Sequence, residues 1–256
     1  MRLLPVLFAA TIVAGSIVPT AAFAADKTAL TVLVASVARK GIEDIIPLYE
    51  KAHPNISVQA VYGGGNVMAG QAAAGSGDVI FSNNQSLAPV MAKLGTLVPL
   101  FRVHEAVIVP KGSTKVKTLK DLANPGVRIG MVVASAPAGI YSRGVLKAAN
   151  AAFGADFETK VLANVTSSKT SDGAIVDMIA AGTLDAAIGH PTDASDKIEA
   201  IAIPASYDIP ASESVASAAP VKSSAHMSDA NDFIAFLSSP AAQAIFKKHN
   251  YDTNVK

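Results

Sequence analysis

Short apolar runs alternate along the chain with segments whose apolar residues recur at helical spacing. Residues 29–35 are rich in β-branched side chains and predict a buried strand, whereas Ile42, Ile45 and Tyr49 share one face of a predicted helix. The pattern predicts strands at residues 29–35, 56–62, 79–82, 106–110, 127–133 and 186–189, and helices at residues 42–52, 67–74, 87–94, 139–150 and 173–181. Two last helices are predicted to begin near Ser228 and Ser239. Strands that alternate with helices predict an α/β fold with mostly parallel sheets flanked by helices.

The first 24 residues follow a different pattern, which is typical of a secretory signal peptide. Arg2 is the only charge among them, and residues 3–18 are almost all apolar or small. Ala22-Phe23-Ala24 supplies the small-x-small pattern at which signal peptidases cut. The alternative is a membrane anchor, but a span needs about 20 apolar residues. We therefore expect residues 1–24 to be a signal peptide, cleaved before Ala25, and the product to reach the periplasm.

Composition narrows the class of protein that remains after cleavage. The sequence has 21 basic and 20 acidic residues, and one of the basic residues, Arg2, lies in the predicted signal peptide. A balanced charge argues against a nucleic-acid-binding protein. Cysteine is absent, which excludes a thiolate metal site, a cysteine nucleophile, a disulfide and a lipid-modified cysteine anchor. We expect an untethered, monomeric product.

Small or polar residues occur four times where a predicted strand gives way to a helix. The four stretches are Ala35-Ser36, Gly63-Gly64-Gly65-Asn66, Pro137-Ala138-Gly139 and Ser171-Asp172-Gly173. Ligands of open α/β sheets bind beyond the carboxyl ends of the strands. Helix starts there offer unpaired N–H groups and the positive end of the helix dipole, which together favour an anion. The alternative is that these are ordinary turns and caps, and the carboxylate of Asp172 would repel an anion unless it points away.

Five stretches also carry a resemblance to a known family. They are LTVLVAS at residues 30–36, GSGDVIFS at 75–82, VPKGS at 109–113, PAGIY at 137–141 and PAAQAIFKK at 240–248. These stretches resemble the periplasmic molybdate-binding proteins of ABC importers. The resemblance implies two α/β lobes with a ligand cleft between them. Lobe 1 would comprise residues 25–105 and 195–256, and lobe 2 residues 106–194.

The resemblance also implies a binding site and a function. The family holds an oxyanion with serine hydroxyls, backbone amides and a tyrosine hydroxyl, without a cofactor. These roles fall on Ser36, Gly64, Gly65, Asn66, Ala138, Ser171 and His190. A gapless alignment would put Val37 in place of Ser36, and Asp172 is the alternative to Ser171. Serine is expected within residues 64–66 but none is present, and His190 stands at the tyrosine position. We expect capture of molybdate or tungstate for a membrane permease of an ABC importer; the alternative is a different anion, a small organic acid or a metal, for uptake or sensing.

Two other kinds of chemistry remain to be weighed. His104, His190 and Asp172 could form a metal site, because imidazole and carboxylate ligands suit several divalent ions. No short ligand motif links them, so hydrogen-bonded or solvent-facing histidines are favoured and no metal is expected. Neither a Gly-x-Ser-x-Gly nor a His-Glu-x-x-His motif occurs, so we do not expect an enzyme.

Overall fold

A computed structural model describes residues 27–169, 172–210 and 213–255 of the protein. The predicted signal peptide at residues 1–24 and the candidate site residue Ser171 lie outside these ranges.

The strands of the described ranges, numbered in chain order, form two five-stranded sheets. The first sheet contains β1 (Thr28–Ala35), β2 (Ile56–Gly63), β3 (Val79–Asn83), β4 (Val98–Arg102) and β10 (Val215–Pro220), in the order β2-β1-β3-β10-β4. The second contains β5 (Ala106–Pro110), β6 (Ile129–Val132), β7 (Val165–Lys169), β8 (Ala186–Gly189) and β9 (Ile198–Ala202), in the order β7-β6-β8-β5-β9. One strand in each sheet, β10 and β5, runs antiparallel to both of its neighbours. The predicted α/β fold with mostly parallel sheets is therefore confirmed.

Helices cover both faces of each sheet, as the alternating pattern predicts. They are α1 (Arg39–Ala52), α2 (Gly65–Ala73), α3 (Asn84–Leu87), α4 (Pro137–Phe153), α5 (Phe157–Ala163), α6 (Asp172–Ala180), α7 (Met227–Leu237) and α8 (Pro240–Lys248). The helix predicted at residues 87–94 is instead the short α3 followed by a 3-10 turn at Ala88–Lys93, because Pro89 has no N–H to continue an α-helix. No helix within the described ranges is long and apolar enough to span a membrane.

Four apolar clusters hold the layers together, one on each face of each sheet. In what we call the first lobe, α1, α7 and α8 pack on one face of the first sheet and α2 packs on the other. In the second lobe, α4 and α5 cover one face and α6 covers the other. Tyr49 and Phe246 are fully buried in the first of these clusters, as expected for the apolar face of α1 and for the closing helix.

Two segments connect the lobes. The chain enters the second sheet between β4 and β5, and it returns between β9 and β10. The predicted boundary returned the chain to lobe 1 near Ala194. Strand β9 pairs with β5 from Ala202 opposite Ala106 to Ile198 opposite Pro110, so residues 198–202 belong to the second sheet. We therefore propose that the second lobe extends past Ala202.

Hydrogen bonds tie the two connecting segments to each other. The N–H of Val103 donates to the carbonyl of Ser214 at 2.8 Å, and the N–H of Glu105 donates to Oδ1 of Asp208 at 2.9 Å. The ring of His104 lies 2.7 Å from a carboxylate oxygen of Asp208. The segments therefore act as one joint between the lobes.

Candidate functional site

Three neighbouring parallel strands of the first sheet end at one edge, which we call the first edge. It consists of the turns that follow β1, β2 and β3. The register pairs Ala35, the last residue of β1, with Gly63, the last residue of β2. Ser36 follows directly, is exposed, and donates its hydroxyl to the carbonyl of Gly63 at 3.1 Å. The predicted site residues Ser36 and Gly64 therefore lie side by side.

The start of α2 places backbone N–H groups on the first edge. Gly64 precedes the helix in an extended conformation and contributes no side-chain cap. The first intrahelical hydrogen bond runs from the N–H of Met68 to the carbonyl of Gly64. The N–H groups of Gly65, Asn66 and Val67 therefore have no hydrogen-bond acceptor within the helix. Such unpaired donors at a helix start favour an anion.

Two serine hydroxyls lie against Gly65 and were not predicted. A Cβ atom at Gly65 would stand 2.7 Å from Oγ of Ser82 and 2.7 Å from Oγ of Ser86. The hydroxyl of Ser82 is buried and makes no hydrogen bond within the described part of the chain. Two hydroxyls, from β3 and α3, thus lie beside residues 64–66, where the resemblance implies serine. The signal in the sequence was the polar Ser82 directly after the apolar residues 79–81 of β3.

What we call the second edge consists of the turns that follow the parallel strands β6 and β8, together with the start of α6 at Asp172. Helix α4 begins at Pro137 and has no side-chain cap at Ala136. Its first intrahelical bond runs from Ile140 to Ala136, so the N–H groups of Ala138 and Gly139 come before the ladder. The predicted backbone donor, Ala138, therefore lies at a helix start on this edge.

His190 lies directly after β8 and is buried. Its Nδ1 atom is 3.0 Å from the carbonyl oxygen of His104. Because a carbonyl only accepts, Nδ1 carries the proton and donates. The backbone N–H of His190 donates to Oδ2 of Asp193 at 2.8 Å. The ring is thus held in place by the connecting segment, and Nε2 makes no hydrogen bond within the described ranges.

Glu105 lies beside His190 and was named in the sequence analysis only as a boundary. Its side chain is buried, with the residue 2% exposed, and Oε1 has no hydrogen-bond partner in the described part of the chain. Oε1 is 3.8 Å from Nδ1 of His190, which is too far for a hydrogen bond. A buried carboxyl group without a hydrogen-bond partner therefore lies beside the predicted site residue His190.

Burial and neighbouring charges shift the protonation of this group of residues. Burial raises the pKa of Glu105 to about 8, with His190 opposing it and Asp172 adding to it. Burial also raises the pKa of Asp172. Burial acts to lower the pKa of His190, but the carboxylates of Glu105, Asp172 and Asp193 outweigh it and raise the pKa to about 9. The cluster therefore holds protons near neutral pH, which reduces its repulsion of an anion.

Contacts between the lobes bring the two edges opposite each other. The hydroxyl of Tyr141, in the first turns of α4, donates to Oε1 of Gln85 on α3. On the joint side, Nζ of Lys40 on α1 donates to the carbonyl of Thr192 at 2.6 Å. The predicted residues therefore form two groups on facing edges: Ser36, Gly64, Gly65 and Asn66 on the first, and Ala138 and His190 on the second. That they share one ligand stays a prediction.

The metal alternative is not supported by the arrangement of the histidines. The two ring nitrogens of His104 lie 2.7 Å from Asp208 and 3.1 Å from Asp252, whereas His190 bonds a carbonyl. His104 and His190 therefore make separate structural contacts. Within the described ranges, no group of three or more His, Cys, Asp or Glu side chains could hold a metal ion.

Comparison with known sequences assigns the chain to a protein family. Residues 30–252 match the family described as bacterial extracellular solute-binding protein. A putative ABC transporter substrate-binding lipoprotein of Bacillus subtilis (strain 168), YvgL, is 27% identical over 235 residues, which cover 88% of this chain and 86% of that protein.

Comparison with solved structures gives the same architecture. The periplasmic molybdate-binding protein of Azotobacter vinelandii has a TM-score of 0.69 and 20% identity, with 87% of this chain and 98% of that chain covered. The sulfate-binding protein SubI of Mycobacterium tuberculosis H37Rv has a TM-score of 0.73 and 18% identity, with 88% and 86% covered. At these identities the likeness shows the fold, and it confirms the two-lobed fold that the sequence resemblance implied.

Proposed function

Because the chain belongs to the family of bacterial extracellular solute-binding proteins, we propose that it captures a small oxyanion between its lobes for an ABC importer. The main support for the proposal is that the two edges face each other. Each edge has a helix start, of α2 or of α4, whose first N–H groups make no hydrogen bond within the helix. The buried hydroxyl of Ser82 adds a donor on the first edge. Backbone amides and hydroxyls can hold an anion without a charged side chain.

The carboxyl groups on the second edge do not contradict this proposal. Burial raises the pKa of both Glu105 and Asp172, which favours their neutral forms. Where these carboxyl groups stay ionised, they raise the pKa of His190 to about 9, so a protonated His190 balances part of their charge. An anion in the cleft therefore faces fewer negative charges than the count of carboxyl groups indicates.

We propose tetrahedral oxyanions as the class of ligand and do not single out one of them. Molybdate and tungstate remain candidates from the sequence resemblance, and one structural neighbour is named for molybdate and another for sulfate. The serines of the first edge come from different positions than the resemblance implied, so the shape of the pocket is this chain's own. Tetrahedral oxyanions as a class fit hydroxyl and amide donors.

A role in transport implies a membrane permease as the partner and the periplasm as the compartment. The curated relative is called an ABC transporter substrate-binding lipoprotein, which supports a membrane permease as the partner. This sequence has no cysteine to carry a lipid, so we propose an untethered, monomeric protein of the periplasm. Removal of residues 1–24 before Ala25 belongs to the same proposal.

A thermal-shift panel tests the proposed ligand class. The mature protein is heated with molybdate, tungstate, sulfate, phosphate, small organic acids and, as a separate group, divalent metals and iron. An oxyanion present at about 100 times its dissociation constant adds roughly 2.7 kcal/mol to the free energy of unfolding and raises the melting temperature. A shift produced only by metals, or only by uncharged solutes, would contradict oxyanion capture.

A further inference from the structure

His104 contacts both lobes and both segments that connect them. It lies between β4 and β5, on the segment that enters the second lobe. Its Nδ1 atom is 2.7 Å from Oδ2 of Asp208, on the returning segment, and its Nε2 atom is 3.1 Å from Oδ2 of Asp252, which follows α8. Its carbonyl accepts the ring N–H of His190, which follows β8 in the second lobe. A movement of one lobe relative to the other is therefore expected to disturb the contacts of this residue.

The stretch of chain that carries Asp252 is anchored in the first lobe. Tyr251 is buried there, with its ring centroid 4.3 Å from that of Phe101, and its hydroxyl donates to the carbonyl of Val37 at 2.6 Å. The backbone carbonyl of Asp252 accepts the N–H of Arg102, the last residue of β4, at 2.6 Å. The side chain of Asp252 therefore presents a carboxylate from the first lobe to the joint.

Asp208 is held in place by the two connecting segments. Its Oδ1 atom accepts the N–H groups of Glu105 at 2.9 Å and of Ile209 at 2.7 Å, whereas Oδ2 faces His104. Burial acts to raise the pKa of Asp208 and of Asp252, but hydrogen bonds to each carboxylate outweigh it and lower both pKa values. Both partners of the His104 ring are therefore ionised carboxylates, which only accept hydrogen bonds.

Two hydrogen bonds from one ring to two carboxylates require two protons on the ring. A neutral imidazole has one N–H, whereas the protonated ring donates from both nitrogens. The hydrogen bond to Asp208, opposed by burial and aided by the bond to Asp252, raises the pKa of His104 above its ordinary value of 6.5. The pair of bonds therefore contributes fully below that value, and one bond is lost as the pH rises through the higher pKa of the folded state. We expect the longer bond, to Asp252, to be the one that is lost.

We propose that the doubly protonated ring of His104 is a latch at the joint, which holds the two edges in their facing position and lets the lobes separate when it loses a proton. The latch joins Asp252 of the first lobe to Asp208 of the returning segment. It acts on the joint itself, so it works in the same way for any ligand of the cleft. For the anion of the proposed function, which contacts both edges, the latch makes capture tighter at lower pH; this consequence rests on the proposed function, whereas the separation of the lobes does not.

Other groups near the joint titrate over the same pH range as His104. Burial raises the pKa of Glu105 to about 8. Burial acts to lower the pKa of His190, but neighbouring carboxylates, where ionised, outweigh it and raise that pKa to about 9. These carboxylates are those of Glu105, Asp172 and Asp193. The guanidinium of Arg102, which donates to the carbonyl of Asn254 at 3.0 Å, stays charged throughout. A variant of His104 retains all of these groups, so only a pH dependence that the variant loses belongs to the latch.

The distance between spin labels on the two lobes tests the latch. The chain has no cysteine, so Met91→Cys in the first lobe and Lys147→Cys on α4 of the second supply two unique attachment points. Both positions are exposed. The label distance is measured without ligand from about pH 6 to about pH 9.5, in the labelled parent protein and with His104→Gln added. This substitution keeps an amide N–H for Asp208 and removes the charge.

His53→Gln is the matched control, because His53 makes the same kinds of contact inside the first lobe. Its Nδ1 atom is 2.9 Å from the carbonyl of Tyr49, and its Nε2 atom is 3.0 Å from Oδ2 of Asp232. The parent protein and this control are expected to show a short, narrow distance at the lower end of the pH range and a longer, broader distribution at the upper end. His104→Gln is expected to show the longer distribution throughout.

Asp252→Asn decides the matter if His104→Gln folds poorly. It keeps an acceptor for the ring but removes one carboxylate charge, so the transition is expected to move to lower pH. The latch would be overturned by a parent distance that does not change with pH, by an unchanged transition in Asp252→Asn, or by a short distance or the parent's pH dependence in His104→Gln. None of these results bears on oxyanion capture, because no ligand is present. Failure of molybdate, sulfate and phosphate to bind at any pH would instead contradict the proposed function and leave the lobe distances as they are.

Discussion

Gly65 shows how a single residue without a side chain can define part of a binding site. The space that a Cβ would fill is already occupied by the hydroxyls of Ser82 and Ser86. Those hydroxyls and the N–H groups at the start of α2 then point to one place on the first edge. Gly65 has a helical conformation that any residue can adopt, so we expect its identity to matter for the contacts of its neighbours and not for the backbone.

Substitution of Gly65 by alanine tests this view. Gly65→Ala forces the two hydroxyls to shift, so the affinity for the anion is expected to fall by about tenfold or more. The free energy of unfolding without ligand should change by less than about 1 kcal/mol, since hydroxyl groups move easily. Calorimetry and thermal melts measure the two effects.

Gly70→Ala is the matched control in the same helix. Nothing lies within 4 Å of a Cβ at Gly70, so this change is expected to leave affinity unchanged and to stabilise α2 by about 1 kcal/mol or less. Equal losses of affinity in both variants would show that α2 as a whole, and not the contact at Gly65, is responsible.

At the scale of single residues, the sequence predicted the turns between strands and helices better than it predicted which side chains lie next to those turns. Ser36, Gly64, Gly65 and Ala138 stand at strand ends because such turns have a local signature of small residues. Ser82 and Glu105 were missed as site residues because their roles depend on contacts with residues distant in sequence. The contact of Glu105 with His190 joins positions on two different segments of the chain.

Helix α4 begins against the end of β6 more tightly than any side chain would allow. A Cβ at Gly139 would lie 2.0 Å from the carbonyl oxygen of Val133 and 2.7 Å from that of Val132. The obstacle is backbone, which cannot rotate away. The absence of a side chain at Gly139 therefore allows the start of α4 to pack directly against the end of β6.

Two alanine substitutions in α4 test that constraint. Gly139→Ala is expected to lower the free energy of unfolding by about 3 kcal/mol or more, because the helix must move away from β6. Gly144→Ala, where a Cβ meets nothing within 4 Å, is expected to stabilise the protein by about 1 kcal/mol or less. Chemical denaturation compares the two, and a similar stability for both variants would show that β6 and α4 adjust freely.

At the scale of elements, apolar periodicity located the strands that have runs of large apolar side chains and missed the others, including the buried β10. The prediction missed β4, β7, β9 and β10, together with α5. Strand β7 has the sequence VTSSK and is mostly exposed, and β10 consists largely of small residues. Neither has the run of large apolar side chains that marks a buried strand. Because β9 was missed, its pairing with β5 could not enter the predicted lobe boundary near Ala194, and the later boundary past Ala202 is our proposal.

The described part of the molecule consists of two similar lobes. The proposed binding site requires their two edges to face each other. His104 connects the two segments of the joint. Its hydrogen bond to Asp208 raises the pKa of the ring, and the bond to Asp252 adds to this effect, whereas burial opposes it. The opposite side is closed by the contact between Tyr141 and Gln85. The family resemblance predicted this two-lobed plan, whereas the contacts that set the spacing of the lobes could not be read from local patterns.

The central claim is that a small oxyanion binds to both edges at once, and hydrogen–deuterium exchange tests it most directly. Exchange is compared with and without the oxyanion that gives the largest thermal shift. We predict slower exchange at residues 63–67 and 82–87 of the first lobe and at residues 136–141 of the second, in the same sample, with less change at residues 240–248 in α8. Protection confined to one lobe, or slowing that is no greater at these turns than in α8, would contradict the account.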